Sequence, residues 1–162
     1  MNKLAHPAAS PPLALTARRL LRVPPARVFR AWTEAAELKR WFAAAEGFTT
    51  PLAEVDLRVG GQYRLGMQPP GSTHVLVVTG EYQEIKPPWR LSFTWRWDEA
   101  EPDEPVTLVT VMFDPHPQGT ELILTHERFT SAASRDQHAA GWSGCLNQLE
   151  HALDAGAANN IQ

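Results

Sequence analysis

The apolar residues near the end of the chain repeat at the spacing of an α-helix. Steps of four, three and four separate the large ones, which are Trp142, Leu146, Leu149 and Leu153. This spacing puts them on one stripe of a helix, and no proline interrupts residues 131–154. Ser131 or Ser134 is a candidate cap for its start, and Gly156 stands where a helix commonly ends. The pattern therefore predicts a long helix over residues 131–154 that must pack against another element.

Before that helix the apolar positions mostly alternate with polar ones, which is the period of a β-strand. The cleanest alternation covers residues 90–97, with apolar side chains at Leu91, Phe93, Trp95 and Trp97. Similar segments predict further strands over residues 15–23, 52–57, 62–68, 74–85, 107–113 and 120–128. Short turns separate most consecutive strands and favour antiparallel neighbours. Gly80, inside one strand, predicts a bulge or a close approach by another backbone or a ligand.

Two short helices are predicted between the first strand and the second. Pro25 suits the first turn of a helix, where its missing N–H is not needed. The apolar residues that follow at helical spacing are Val28, Ala31 and Trp32. A second short helix is predicted over residues 35–42, and its apolar face consists of Leu38, Trp41 and Phe42.

These elements predict an α+β fold in which the long helix covers one face of the sheet. A curved antiparallel sheet of six or seven strands would wrap around the long C-terminal helix, with the two short helices after strand 1. A chain of 162 residues is long enough for one domain with a real core. We expect that domain over residues 14–155, with flexible tails at residues 1–13 and 156–162.

Composition and charge argue against some kinds of binding partner and indicate a cellular compartment. The formal net charge is −3, and no block of lysine and arginine occurs, so nucleic acid is not an expected partner. The single cysteine cannot form an internal disulfide, which is compatible with a reducing compartment. No run of 18 apolar residues predicts a membrane span, and the start of the chain lacks the apolar region of a signal peptide. We therefore expect a cytoplasmic protein.

Motifs for a metal, a cofactor or a nucleophile are missing from the sequence. The six histidines do not form HExxH, there is no cysteine pair, and no glycine-rich phosphate loop occurs. We therefore predict no metal, no cofactor and no catalytic residue. His126 is the polar residue to examine, because strand parity puts it on the face of Leu122 and Leu124. It is either an acid–base or ligand-binding group, or a structural histidine bonded to backbone or to Glu127, and the structural interpretation is favoured.

Aromatic residues fall on the predicted inward faces of several elements. They are Trp41, Phe42, Tyr63, Phe93, Trp95, Trp97, Phe113 and Trp142. They could simply fill the core, or they could form the apolar walls of a ligand cavity with a few N–H and O–H groups. The candidate cavity residues also include Met67, His126, Cys145 and Leu146, with Cys145 expected to be a buried, inert thiol. Gly141 and Gly144 leave space beside Trp142, either for a ligand or for close helix–sheet contact.

Four stretches of the chain, in their joint order, resemble a known family. They are Val23–Thr33, Asp56–Arg64, Gly80–Trp95, and His126–Phe129 together with Gly141, Trp142, Leu146 and Leu149. This order is similar to the family named after the activator of the heat-shock-protein-90 ATPase, within the SRPBCC/START-like (helix-grip) superfamily. The resemblance covers about residues 15–154 and implies a deep cavity between sheet and long helix that often binds an apolar ligand or lipid. Eukaryotic co-chaperones of the family carry an additional N-terminal domain, whereas only about 14 residues precede the first predicted strand here.

Three functions follow as expectations, and the first is preferred. The protein would bind a small hydrophobic or aromatic molecule between sheet and helix, without catalysis. Alternatively, it would be a cyclase or aromatase that uses His126 or Tyr63 on a polyketide-like substrate. The third alternative is an interaction module, such as a chaperone partner. An edge strand could pair two copies into a homodimer, so either a monomer or a homodimer is expected.

Overall fold

The computed structural model describes residues 13–159, and it describes side chains over residues 13–156. The strands are β1 (Leu13–Leu21), β2 (Thr49–Val55), β3 (Gln62–Gln68), β4 (Leu76–Lys86), β5 (Arg90–Trp97), β6 (Thr107–His116) and β7 (Gly119–Phe129). The helices are α1 (Pro25–Thr33), α2 (Ala35–Trp41) and α3 (Ala132–Asn159). The predicted N-terminal tail lies outside the described residues except for Leu13, which opens β1.

All seven strands form one antiparallel sheet in the order β1-β7-β6-β5-β4-β3-β2. Strands β2 to β7 therefore run as a meander, and β1 adds to its far edge by pairing with β7. The two short helices follow β1, and the long helix follows β7. The predicted helix-grip α+β fold is confirmed. No helix within the described range is both long enough and apolar enough to cross a membrane.

Two strands have the predicted bounds, and the other five differ from the prediction by one to three residues at one or both ends. β3 and β5 have the predicted limits. β2 begins at Thr49 rather than at residue 52, because pairing with β3 continues past a register shift between Thr49 and Leu52. Pro51 lies inside that irregular stretch, where a missing backbone N–H is tolerated. β1 begins at Leu13 because its ladder extends to Phe129.

The long helix begins as predicted but ends later. The Ser134 backbone N–H donates to the Ser131 Oγ at 3.0 Å, so Ser131 is the cap and Ser134 lies within the first turn. The helix continues past Gly156 to Asn159, so the predicted end at Gly156 is wrong. Gly156 does not adopt the positive φ of a helix-ending glycine.

The predicted stripe of α3 faces the core. Trp142, Leu146, Leu149 and Leu153 are all buried. Trp142 contacts Trp95 of β5 at 5.0 Å between ring centroids and Trp32 of α1 at 5.9 Å. Burying side chains of this size contributes about 1.5–3 kcal/mol each. The stripe thus fastens the helix to the sheet and to α1 at the same point.

Candidate functional site

Two adjoining cavities lie between β5 and the first half of α3. The larger has a volume of about 580 Å³ and reaches the loop between β5 and β6. The smaller has a volume of about 220 Å³ and reaches the segment after α2. The residues that line both are Met67, Trp95, Trp97, Gln137 and His138. Cavities of about 300–1,000 Å³ with mainly apolar walls are typical of ligand sites, so this region is the candidate functional site.

The middle of the molecule, by contrast, is filled with aromatic rings. A void of about 20 Å³, here called the inner void, is all that remains among Trp32, Tyr63 and Phe93. Tyr63 and Phe93 pack edge to face at 5.3 Å between ring centroids. The predicted space between sheet and helix therefore lies at the end of β5 that bears Trp95 and Trp97, away from the centre.

The predicted cavity residues divide into three groups. Those that line the larger or the smaller cavity are Phe42, Met67, Trp95, Trp97, Trp142 and Cys145. Tyr63 and Phe93 line the inner void only. Trp41, Phe113, His126 and Leu146 are buried and line none of these three spaces. They are core residues because other elements cover them; for example, Phe29 of α1 packs against Phe113 at 5.4 Å between ring centroids.

His126 holds the helix to the sheet through a chain of hydrogen bonds. The Trp142 Nε1–H donates to Nδ1 of His126 at 3.0 Å, so Nδ1 carries no proton. Nε2 of His126 lies 2.7 Å from Oγ1 of Thr107, which in turn lies 3.1 Å from the Trp95 carbonyl oxygen. The proton on Nε2 therefore points to Thr107, whose hydroxyl donates onward to that carbonyl.

This arrangement makes His126 a neutral structural residue. Burial, with a smaller contribution from nearby His138, lowers the pKa of His126 to about 3. Protonation would also place a hydrogen on Nδ1 against the Trp142 N–H, so the geometry and the pKa agree. The predicted structural role of His126 agrees with this geometry. The predicted hydrogen-bond partners, backbone or Glu127, are wrong, because the ring bonds to Thr107 and Trp142.

Tyr63 is also engaged in structure. Its hydroxyl donates to the Thr94 carbonyl oxygen at 2.5 Å. Burial raises the pKa of Tyr63 well above its usual value. Gly80 makes this contact possible, since a methyl group on Gly80 would overlap both the Thr94 carbonyl oxygen and the Tyr63 ring. The close backbone approach predicted from Gly80 is present.

His138 is a site residue that the sequence reasoning missed. The Trp97 Nε1–H donates to Nε2 of His138 at 3.0 Å, and Nδ1 of His138 lies 2.8 Å from the Ser134 carbonyl oxygen. The pair forms part of the wall that both cavities share. A signal for it exists, because His138 stands one helical turn before Trp142 on the same stripe.

Gly141 and Gly144 of α3 lack a side chain for different structural reasons. A methyl group on Gly144 would overlap the carbonyl oxygen of Ala44, so the close approach of the segment after α2 requires glycine there. At Gly141 nothing outside its own stretch of helix lies within 4 Å of the position a Cβ would take. Gly141 lines the smaller cavity, so its missing side chain enlarges that cavity.

Cys145 lines the smaller cavity as a buried thiol. Burial raises its pKa to about 12, partly opposed by a hydrogen bond with the Ala43 backbone. A thiol with such a pKa is almost entirely protonated at neutral pH, and the thiolate is the reactive form. The structure therefore supports the interpretation of Cys145 as an inert thiol.

The buried indole N–H groups are not all satisfied. Those of Trp41, Trp97 and Trp142 donate to Ala31, His138 and His126 respectively. Within the described residues, Nε1 of Trp32 and Nε1 of Trp95 are buried without a hydrogen-bond partner. Both residues line the inner void, and Trp95 lines the two cavities as well.

Charged groups gather at the loop side of the larger cavity. Arg96, Glu99 and Glu104 line it, and the segment that follows β5 also contains Asp98, Glu101 and Asp103. Glu99 lies 2.7 Å from Nε2 of His74. The Arg96 guanidinium donates to the Glu101 carbonyl oxygen at 2.8 Å. Carboxylates therefore outnumber cations at this end of the cavity.

The sheet, the long helix and the lateral cavities define a helix-grip protein with space beside its terminal helix. The family described as Activator of Hsp90 ATPase homolog 1-like protein matches residues 22–154, and the chain belongs to this family. The predicted family is confirmed.

Solved structures agree with this assignment. A protein from Chromobacterium violaceum is 30% identical, with a TM-score of 0.77 over 86% of this chain and 96% of that one. An AHSA1-like protein from Aeromonas hydrophila is 26% identical, with a TM-score of 0.77 over 93% and 98%. The AHSA1 protein from Silicibacter pomeroyi is 26% identical, with a TM-score of 0.78 over 89% and 99%. No curated protein matches the chain.

Proposed function

We propose that this protein binds a small, largely apolar molecule with aromatic rings in the two cavities beside α3. The observation that carries the proposal is the pair of adjoining spaces, about 580 and 220 Å³, that share the indole walls of Trp95 and Trp97. An engineered apolar cavity of about 150 Å³ already binds benzene. The smaller cavity alone therefore has room for more than one ring.

The walls favour aromatic ligands over flexible chains. Trp95, Trp97 and Trp142 all line the smaller cavity, and Trp142 is held in place by its bond to His126. Flat ligands gain from offset or edge-to-face packing on such rings beyond the area that they bury. Rings already fixed by packing also lose little freedom on binding, which favours affinity.

The acid–base alternative gains no support from its two candidate residues. His126 has both ring nitrogens engaged and lies outside the cavities. The Tyr63 hydroxyl is bonded to backbone, and its raised pKa keeps it protonated. A general base must reach the proton that it abstracts. The chaperone-partner alternative stays a prediction, because no feature of the described surface favours it over ligand binding.

The test uses Gly141, which lines the smaller cavity and where an added Cβ meets no neighbouring atom within 4 Å. Purified protein would be titrated with naphthalene-class probes by calorimetry, and small molecules released from it would be identified by mass spectrometry. We expect Gly141→Leu to weaken binding by at least tenfold, because the leucine side chain occupies the smaller cavity.

The matched control is Ala139→Leu, which adds similar bulk to the exposed face of the same helix. It should bind like the wild type. Equal binding by Gly141→Leu and wild type would contradict this location, and the absence of any bound or binding apolar probe would contradict the function.

A further inference from the structure

Trp95 combines two properties that no other described residue shares. It lines the larger cavity, the smaller cavity and the inner void. Trp95 is also buried, with 5% of its surface exposed, and its Nε1–H lacks an acceptor among the described residues. Trp32 shares the second property but borders the inner void alone among these spaces. The Trp95 ring therefore borders all three spaces and carries a donor that no described residue satisfies. Because this N–H is closed off from solvent, a ligand reaches it only when the ring or a neighbour moves.

An unpaired buried donor favours any partner that supplies an acceptor. Buried polar groups in native proteins are almost always bonded, and an exception calls for a ligand, an ion or a water. The neighbouring indoles of Trp97 and Trp142 show that this wall otherwise pairs its N–H groups. A ligand oxygen that accepts from Trp95 would complete the set.

The charges at the loop side of the larger cavity indicate whether the ligand's acceptor oxygen is neutral or anionic. Glu99 and Glu104 line the larger cavity, and the Arg96 guanidinium there already donates to backbone. An anionic ligand that enters past these carboxylates meets repulsion, whereas an uncharged ligand does not. A ketone, ester or ether oxygen therefore suits the site better than a carboxylate.

We propose that the ligand is an uncharged aromatic molecule that carries an acceptor oxygen, and that this oxygen accepts a hydrogen bond from the Trp95 indole N–H. The inference rests on the proposed function, since it specifies the chemistry of the molecule bound in the same cavities. It makes Trp95 the specificity-determining residue and leaves shape selection to the other walls.

The experiment compares three probes of nearly equal size by calorimetry on the intact protein. They are 2-acetylnaphthalene, its hydrocarbon analogue 2-isopropenylnaphthalene, and 2-naphthoate. We expect the ketone to bind about tenfold more tightly than the hydrocarbon, which corresponds to about 1.4 kcal/mol. The carboxylate should bind most weakly of the three.

The variant Trp95→Phe keeps an aromatic ring and removes the donor. In that variant the ratio of the two neutral affinities should fall from about ten to about one. Because the ratio is taken within one protein, a general change of cavity shape affects both probes. The control is Trp89→Phe, which alters an indole that is 52% exposed and should leave the ratio at its wild-type value.

A nuclear magnetic resonance measurement keeps the test independent of how well the variant folds. The chain has six tryptophans, and each gives one indole N–H signal after ¹⁵N labelling. The ketone should move the Trp95 proton signal downfield, in the direction of a new hydrogen bond. The hydrocarbon should not produce that downfield movement. The signal of Trp41, which is already bonded and lines none of the three spaces, should change less.

The outcomes separate this inference from the function on which it rests. If no probe binds, the proposed function fails. If both neutral probes bind equally and the Trp95 signal does not move downfield with the ketone, the cavity binds ligands but the role of Trp95 is wrong. If 2-naphthoate binds more tightly than the ketone, the requirement for an uncharged ligand is overturned.

Discussion

Replacement of His126 tests how the long helix is held to the sheet. In the folded protein the pKa of His126 is lowered to about 3, whereas an unfolded chain has the ordinary value of 6.5. A lowered folded pKa means that the neutral ring stabilises the fold above pH 6.5. That stabilisation is lost as the pH falls from 6.5 towards 3, because the unfolded state takes up a proton that the folded state excludes.

The magnitude follows from linkage. One proton bound only by the unfolded state lowers the free energy of unfolding by about 1.4 kcal/mol for each pH unit. Between pH 6.5 and pH 4.5 the loss due to His126 is therefore about 2.3 kcal/mol, because the unfolded ring is already half protonated at pH 6.5. Carboxylates with lowered pKa values, such as Glu84 beside Arg90 and Lys86, act in the same direction, so the total slope alone does not isolate His126.

The variant His126→Asn isolates it, because asparagine does not titrate in this range. At pH 7 the variant should lose about 2–4 kcal/mol, since the Trp142 N–H and the Thr107 hydroxyl lose their partner. Below pH 6.5 its free energy of unfolding should fall less steeply with pH than that of the wild type. The difference in slope corresponds to about one proton.

The assay is urea unfolding followed by circular dichroism, in half-unit steps from pH 7.5 to pH 4.5. The control is His151→Asn, which changes an exposed histidine on the same helix and should keep the wild-type slope. If the curves of His126→Asn and the wild type run parallel over this range, the folded ring takes up protons like the unfolded one. The tautomer and the hydrogen-bond chain described for His126 would then be wrong.

Three further substitutions and one chemical modification test the same helix. Gly141→Ala should raise the free energy of unfolding by about 0.5–1 kcal/mol, because alanine is the better helix former and its methyl group meets open space. Gly144→Ala should lower it by about 1–3 kcal/mol in the same denaturation assay, since the methyl group collides with Ala44. Ser131→Ala should cost about 1 kcal/mol through loss of the cap. At pH 8 Cys145 should react with a thiol reagent only as fast as the protein opens, so rapid labelling of folded protein would contradict its burial.

The fold could be predicted from the sequence because most elements show a regular periodicity of apolar residues, close to two in strands and to 3.6 in helices. Strand β5 alternates along its whole length, and its predicted limits are correct. The stripe of α3 is likewise regular, so its buried face was identified residue by residue. Predicted bounds were wrong where an element continues past its regular period: β2 begins at Thr49 rather than at residue 52, and α3 continues past Gly156 to Asn159.

The location of the cavities could not be predicted from the sequence, because it depends on how the helices pack against the sheet. The pattern put Trp41 and Phe113 on inward faces, but only the packing of α1 on the sheet decides that they lie in the core. Trp32 belongs to α1, yet it occupies the centre beside Trp142. Periodicity within one element shows which face of that element each residue lies on. A cavity forms where the side chains of several packed elements do not fill the space between them, and periodicity does not show this.

The pairing of β1 with β7 has a consequence for how the chain is made. Residues such as Leu21 and Thr120 are partners although roughly a hundred positions separate them, and contacts of such separation form slowly. During synthesis on the ribosome, the first strand emerges long before the strand that it joins. Until then its backbone edge is unprotected, so nascent chains stalled before residue 119 should be substrates for chaperones that hold extended segments.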